Sequence, residues 1–287
     1  VQAELFDLHA RVEDAHWWFV ARREIMRRLV RRAVPPRGRP LVVDVGCGTG
    51  ANVAALADDY ECVGIDTSAD AVEAARRRFP AVRFLQGFAP ADLGGDAGRA
   101  LAFLLMDVIE HVRDDFLLFS SLVAAARPGA HFLVTVPADM ALWSPHDERF
   151  GHWRRYDPAR LARVWDGLPV SVRLVSHFNA RLYPLIRAAR AAGRLRGRGW
   201  GREGSDLGMP PPLANSLLRS VFAGEGTVLE EAMEGRGGGY GHGVSLVALL
   251  RREEGEAEPR SRPADLAPDP WDPEAGVARD PSLARGR

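Results

Sequence analysis

The chain has 287 residues, 46% of them hydrophobic and 26% charged, which is the composition of a globular protein with room for one α/β domain plus additions or two small domains. Its 38 basic residues, every one an arginine, balance 38 acidic residues, so net charge draws it toward neither nucleic acid nor membrane. Two cysteines, Cys47 and Cys62, exclude a disulfide framework and suit a reducing cytoplasm. No signal-peptide core opens the chain, and the longest strongly apolar run, Leu101 to Met106, is far too short to span a bilayer.

In chain order, residues 3–33 read as helical, with Phe19, Met26, Leu29, Val30 and Ala33 on one face and arginine on the other. Pro35-Pro36-Arg37-Gly38 stops this helix. From Leu41 a βαβ alternation begins, with strands expected at 41–45, 61–65, 82–85, 101–106 and 130–136. The helices expected between them are 51–58, 69–78 and 113–126, and Thr67-x-x-Asp70 reads as a capping box for the second. Asp157-Pro158 opens a further helix near 158–166, and a strand at 170–177 follows. An insertion over 179–238 carries helices near 181–195 and 213–222, with an Arg/Gly-rich stretch to about 204. Val244 to Leu250 reads as the last strand. The pattern predicts an α/β, doubly wound, Rossmann-like, mostly parallel sheet of about seven strands, the last antiparallel. The expected parts are an N-terminal helical lid (1–38), the main domain (39–252, including the insertion) and a disordered tail (253–287) whose composition offers little to bury.

The chemistry concentrates first at Val42-Val43-Asp44-Val45-Gly46-Cys47-Gly48-Thr49-Gly50. A strand ending in an acid, then Gly46, Gly48 and Gly50, then a helix, lets backbone approach a ligand with no Cβ between. A pyrophosphate-binding dinucleotide loop needs G-x-G-x-x-G. Here the third glycine comes one residue early, and Asp44 would repel pyrophosphate but accept hydrogen bonds from an ammonium group. A second acid, Asp66, ends the next strand, where a carboxylate can take both hydroxyls of a ribose.

Together with Leu105-Met106-Asp107-Val108-Ile109-Glu110-His111-Val112, these segments resemble the successive motifs of class I S-adenosylmethionine-dependent methyltransferases, and more narrowly the subgroup that includes the ubiquinone-type O-methyltransferases. The resemblance covers about 16–250. It implies S-adenosylmethionine as cofactor, lined by Asp44, Gly46, Cys47, Gly48, Gly50, Asp66, Thr67, Asp107 and Val108. The family often places an acid in the loop after the third strand. This chain has Leu85-Gln86-Gly87-Phe88-Ala89 instead, so adenine contact falls to Gln86, the amides around Gly87, or the Phe88 ring.

The acceptor is expected over the fourth and fifth strands. Methyl transfer to oxygen mostly needs alignment, and a neutral histidine suits the removal of a hydroxyl proton. His111 is the first candidate base, with capping of the next helix as the competing reading. His146 and His152 are the others, in a loop crowded with Trp143, Arg154, Arg155 and Tyr156, where aromatics can wall an organic acceptor and arginine can hold its carboxylate or phosphate. Glu110 joins this acceptor group, as do Trp17, Trp18 and Arg23 of the N-terminal segment, which resembles a lid element of the quinone-type subgroup. His146, His152 and Asp147 lack a recognised metal-ligand spacing, and no metal is expected. The basic stretch 181–198 either rests on an anionic membrane or covers the acceptor cleft. The expected activity is methyl transfer to a small-molecule, glycan or lipid-linked acceptor at oxygen, in the cytoplasm and without nucleic acid. A non-catalytic cofactor-binding or membrane-associated protein and an NAD(P)-dependent oxidoreductase stand as alternatives.

Overall fold

The computed structural model describes residue 10, residues 12–195 and residues 208–261. The expected helix start at residue 3, the Arg/Gly-rich stretch from 196 and the tail beyond 261 lie outside the described residues. Seven strands form one sheet: β1 (Leu41–Val45), β2 (Glu61–Asp66), β3 (Arg83–Gln86), β4 (Ala102–Met106), β5 (His131–Pro137), β6 (Val170–Phe178) and β7 (Ser245–Arg252). Their order is β3-β2-β1-β4-β5-β7-β6. All run the same way except β7, which lies antiparallel to both β5 and β6.

β1 and β4 are buried along their whole length, as strands covered on both faces must be. Side-chain alternation then sorts them into two cores. Val43, Val45, Phe103 and Leu105 pack with Phe116, Phe119 and Leu122 of helix α5 (Asp115–Ala125) and with Trp165. Val42, Leu104 and Met106 pack on the opposite face with Ile25, Met26 and Leu29 of helix α1 (Trp17–Ala33) and with Val72 and Ala75 of helix α3 (Ala69–Arg78).

Several boundaries differ from the sequence reading, each for a local reason. α1 starts at Trp17, because residues 13–16 turn and the His16 ring caps the helix by accepting from the Trp18 amide. The helix after the glycine loop, α2 (Ala51–Ala54), ends after four residues. α3 is capped by Ser68, whose hydroxyl accepts from the Ala71 amide, and not by the Thr67-x-x-Asp70 box. Three further helices were not foreseen: α4 (Asp96–Arg99), α6 (Pro145–Arg149) and α10 (Gly226–Met233). The helix foreseen over 158–166 is α7 (Pro158–Ala162) closed by a 3-10 turn at Arg163–Trp165. The tail does not leave the fold at 253, since the Ser120 hydroxyl and the Arg260 backbone hydrogen-bond each other.

The insertion builds α8 (Tyr183–Leu195), α9 (Pro212–Ala223) and α10. α9 and α10 are tied to α1. Asn215 accepts from the Trp17 amide at 2.8 Å and donates to the Ala15 carbonyl at 2.8 Å. Arg28 and Arg32 of α1 pair with Glu230 and Glu234. Lid helix and insertion therefore form one layer over the same sheet face.

A second anchor holds the loop after β5. Asp115, 2% exposed, accepts from Tyr156 Oη at 2.8 Å and Arg160 Nη2 at 2.7 Å, with Arg154 Nη1 at 3.5 Å. A buried charge stripped of its partner is strongly destabilising. Asp115→Ala, which removes the buried carboxylate shared by Arg154, Tyr156 and Arg160, is expected to lower unfolding stability by about 3–5 kcal/mol in a urea titration. An unchanged midpoint would show that this carboxylate does not anchor the loop.

Candidate functional site

The strand order reverses between β1 and β4, where open α/β sheets bind ligands beyond the strand carboxyl ends. A cavity of about 1330 Å³ lies there. One end is built by the turn after β1. Gly46, Gly48 and Gly50 all adopt positive φ. A Cβ at Gly46 would meet Val108 at 2.8 Å and one at Gly50 would meet Phe84 at 2.7 Å, whereas one at Gly48 would meet nothing within 4 Å. Outer glycines thus seat the turn on the sheet, and the middle one leaves backbone open to the cavity. Asp66 ties this turn to the end of β2. Its carboxylate accepts from the Gly48 amide at 2.8 Å and the Ser68 amide at 2.9 Å, and it lines the cavity with Thr67, Cys47 and Gly48.

The rim beyond β3 carries Gly87 and Phe88, both on the cavity wall. The Phe88 ring is 70% exposed, which leaves its face open to a flat ring stacked on it. Gln86 points elsewhere. It is exposed and absent from the wall, because the next residue, Gly87, is the one at the bend. An acid does serve this loop: Asp92 accepts from the Phe88 amide at 2.7 Å and crowds Gly87. It closes the loop on itself.

The floor between the two ends is a charge cluster that the sequence reading assigned only in part. Asp107, at positive φ, accepts from Thr135 Oγ1 at 3.1 Å and is paired with Arg22. Arg22, 4% exposed, reaches from α1 into the cavity wall. Burial lowers its pKa to about 10, opposed by Asp44, Glu110 and Glu13, so it stays charged. Arg23, the neighbour chosen from sequence, turns away to the Glu13 carbonyl and Asp14, as the 100° step of a helix requires. Trp17 and Trp18 do line the cavity, with the Arg22 guanidinium 4.5 Å from the Trp18 ring centre. Asp44 is a further correction. It is fully buried under the glycine turn, outside the cavity wall, and the Val53 backbone is the hydrogen-bonding group that faces its carboxylate. Burial pushes its pKa up to about 8, against the pull of Arg22 and with Asp66 adding to the rise.

The far end of the cavity holds Glu110, His111, His146 and His152, with Arg155 behind them. Glu110 and His111 sit in a 3-10 turn after β4. The Trp153 amide donates to the Glu110 carbonyl at 2.8 Å, which brings the 138–156 loop against that turn. Glu110 is fully buried, its carboxylate has no hydrogen-bond partner among the described residues, and burial raises its pKa to about 8. His111 is pushed down to about 4 by burial and by the neighbouring His152, which leaves a neutral ring. His152 lies edge-on to it, ring centres 4.7 Å apart. His152 Nδ1 meets Asp147 Oδ1 at 3.0 Å, and Arg155 grips the same carboxylate at 2.9 and 3.0 Å. Burial alone would raise the Asp147 carboxyl, but the hydrogen bonds from His152 and Arg155 hold it well below its usual range.

Other members of that loop face inward. Arg154 and Tyr156 are engaged with Asp115 and lie outside the cavity wall. Arg154 also donates to the Val112 and Arg113 carbonyls at 2.8 and 2.9 Å. Trp143 is likewise off the wall, its indole N–H donating to Glu148. Gly50 sits under the turn against Phe84. The sequence reading passed over Arg22, which lies next to Arg23, and weighed Asp147 only as a metal ligand.

Comparison with known proteins shows the family to which the chain belongs. A family model described as a methyltransferase domain matches residues 18–180, more than half of the chain. The chain is 30% identical over 197 residues to the trans-aconitate 2-methyltransferase of Deinococcus radiodurans, covering 60% of this chain and 73% of that one. It is 30% identical over 154 residues to a Mycolicibacterium smegmatis protein named as an S-adenosylmethionine-dependent methyltransferase, covering 53% of this chain and 58% of that one. A trans-aconitate 2-methyltransferase of Azoarcus sp. is 32% identical over 109 residues, covering 36% of this chain and 42% of that one. The chain thus spans only about half the length of these last two relatives. Among solved structures, a SAM dependent methyltransferase from Archaeoglobus fulgidus superposes with a TM-score of 0.50 at 16% identity, covering 80% of this chain and 94% of that one. The plantazolicin methyltransferase BamL in complex with SAH gives 0.52 at 13% identity, covering 86% and 90%. At these identities the structures bear on the fold alone.

The buried Asp44 yields a pH prediction. Its folded pKa lies above its unfolded one, so its contribution to stability is full below about pH 4 and is lost as pH rises through about 8. Asp44→Asn, always neutral, escapes that loss. In urea titrations its stability relative to the parent chain is expected to rise between about pH 5 and about pH 9. A gap that stays constant with pH would show that Asp44 is ionised throughout.

Proposed function

The chain belongs to the methyltransferase-domain family, and from that premise we propose that it transfers a methyl group to the oxygen of a small-molecule acceptor held between the glycine turn and the Glu110–His111–His152 cluster. The cofactor is S-adenosylmethionine, and membership of the family closes the oxidoreductase alternative. One observation carries the reading: a single cavity runs from Asp66 and Phe88 at one end to that cluster at the other.

The residues fit the cofactor. Each Asp66 oxygen accepts one backbone amide and keeps a lone pair for a ribose hydroxyl. Phe88 offers a ring face for adenine, and Gly48 leaves the turn open. Arg22, paired with Asp107 on the cavity wall, suits a carboxylate such as that of the methionine part. When bound, S-adenosylmethionine supplies an electrophilic methyl whose bond to sulfur breaks as a bond to the acceptor oxygen forms, the sulfur keeping the electron pair. The chain's own part is to align the oxygen and to relieve it of its proton, which passes to the histidine cluster. The trans-aconitate methyltransferases among the relatives support an acceptor of small-molecule size.

A lipid-linked acceptor is a second reading, favoured by exposed apolar side chains on the insertion. Leu185 lines the cavity and is 64% exposed, and Leu213 and Leu217 on α9 are 88% and 65% exposed. Arg181 and Arg187 in the same insertion are also exposed. No helix among the described residues is long and apolar enough to cross a membrane, so contact would be peripheral. In flotation with anionic vesicles the chain is expected to rise with the lipid and Leu213→Asp with Leu217→Asp to reduce that fraction. A chain that stays in solution at low salt removes this reading.

The main test is calorimetric. Hydrogen bonds to a charged group are worth about 1.5–3 kcal/mol each, so Asp66→Ala is expected to weaken S-adenosylhomocysteine binding by roughly tenfold to a thousandfold. Unchanged affinity would remove Asp66 from the ribose. Methyl release to no member of a broad acceptor panel, with the cofactor bound normally, would favour a non-catalytic binding protein.

A further inference from the structure

Three side chains from two distant segments converge at the acceptor end of the cavity. Glu110 and His111 come from the turn after β4, and His152 from the loop before α7. One ligand-capable atom of each lies within 4.8 Å of the other two. Each is prepared for a role that hydrogen bonds within the chain do not fill. Glu110 is 0% exposed and both its oxygens lack a hydrogen-bond partner among the described residues. Such a carboxylate is costly to bury, and a bound cation offsets that cost. His152 has its Nδ1 on Asp147 Oδ1 at 3.0 Å, and Asp147 is itself clamped by Arg155 and by the Ser144 amide at 2.9 Å. This leaves Nε2 for a ligand, in the carboxylate–histidine arrangement that fixes the tautomer of metal-binding imidazoles. The His111 ring is set beside the Phe150 and Gly151 carbonyls, which suits one ring nitrogen as a donor and frees the other.

We propose that Glu110, His111 and His152 bind a divalent transition-metal ion whose open coordination position faces the acceptor. Two imidazoles and a carboxylate suit zinc, manganese, iron or cobalt, whereas magnesium and calcium take oxygen ligands. A tetrahedral ion with bonds of about 2.1 Å sets its ligand atoms about 3.4 Å apart, so the cluster closes by roughly an ångström on binding. All three residues line the cavity, which gives the ion an entry path and a position for an external oxygen. The nearby guanidiniums are already matched, Arg22 with Asp107 and Arg155 with Asp147, which leaves the Glu110 carboxylate as the acid of this group with no ion pair among the described residues. A bound ion would draw the acceptor oxygen toward its deprotonated form, and with His111 and His152 then serving as ligands the proton would leave to solvent through the cavity. That role, though not the site itself, rests on the methyl-transfer reading.

The test is titration of the full chain with Co2+, read by calorimetry and by visible d–d absorption, with Mg2+ as the competitor. One cobalt per chain with nitrogen-ligand bands, weakly displaced by Mg2+, is expected. Glu110→Gln and, separately, His152→Ala are expected to weaken binding by on the order of a hundredfold or more, and Asp147→Asn by about 10–100-fold. S-adenosylhomocysteine binding, measured on every variant, reports that the fold and the nucleotide end survive. Failure of Co2+ to bind a chain that still binds S-adenosylhomocysteine overturns the proposal, as does stoichiometric binding that persists through both ligand substitutions. A chain that binds Co2+ through these residues but not S-adenosylhomocysteine upholds the metal site and removes the methyl-transfer reading.

Discussion

The carboxylate of Asp66 is the constraint on which the nucleotide end depends. It sits at the last residue of β2 and binds amides from two different loops, Gly48 after β1 and Ser68 before α3. Parallel strands in this order cannot close their own carboxyl ends, so the loops that leave them must be held by side chains or by a ligand. Asp66 does the first and retains acceptor capacity for the second. The glycines matter through the same geometry. Gly46 and Gly50 have no room for a Cβ against Val108 and Phe84, and Gly48 has room that faces the cavity.

The acceptor end is organised differently. Around the 3-10 turn of Glu110 and His111 it uses a buried ionic framework. Asp147 orients His152 and is gripped by Arg155, which also donates to the Ala138 carbonyl at 3.0 Å. Asp115 holds Arg154, Tyr156 and Arg160 a few residues away. Two carboxylates therefore pin one loop, and His152 of that loop meets His111 edge-on. α1 and the insertion close the remaining side, joined by Asn215 and by the Arg28–Glu230 pair.

Much of the fold was legible because its strands are covered on both faces and so read as short apolar runs punctuated by turn residues. The glycine spacing and the acid ending β2 were legible for the same local reason. What sequence could not separate was direction. Arg154, Arg155 and Tyr156 stand together in the chain, yet Arg155 faces the cavity and its neighbours face Asp115. Arg22 and Arg23 are adjacent on a helix, and only the first reaches the site. Asp44 carried the motif's charge but lies beneath the turn it precedes. The pairing of Glu110 and His111 with His152 spans about 40 residues, and its signal lies in Asp147, whose value as an orienting partner appears only when the loop is folded.

The central claim is that one crevice seats S-adenosylmethionine with its sulfur directed at the histidine cluster. The most direct measurement is a crystal structure of the chain with S-adenosylhomocysteine. The account predicts ribose hydroxyls on Asp66, adenine on Phe88, the carboxylate within reach of Arg22, and the sulfur facing Glu110, His111 and His152. A nucleoside bound with its sulfur turned away from that cluster, or held outside the crevice, would contradict it.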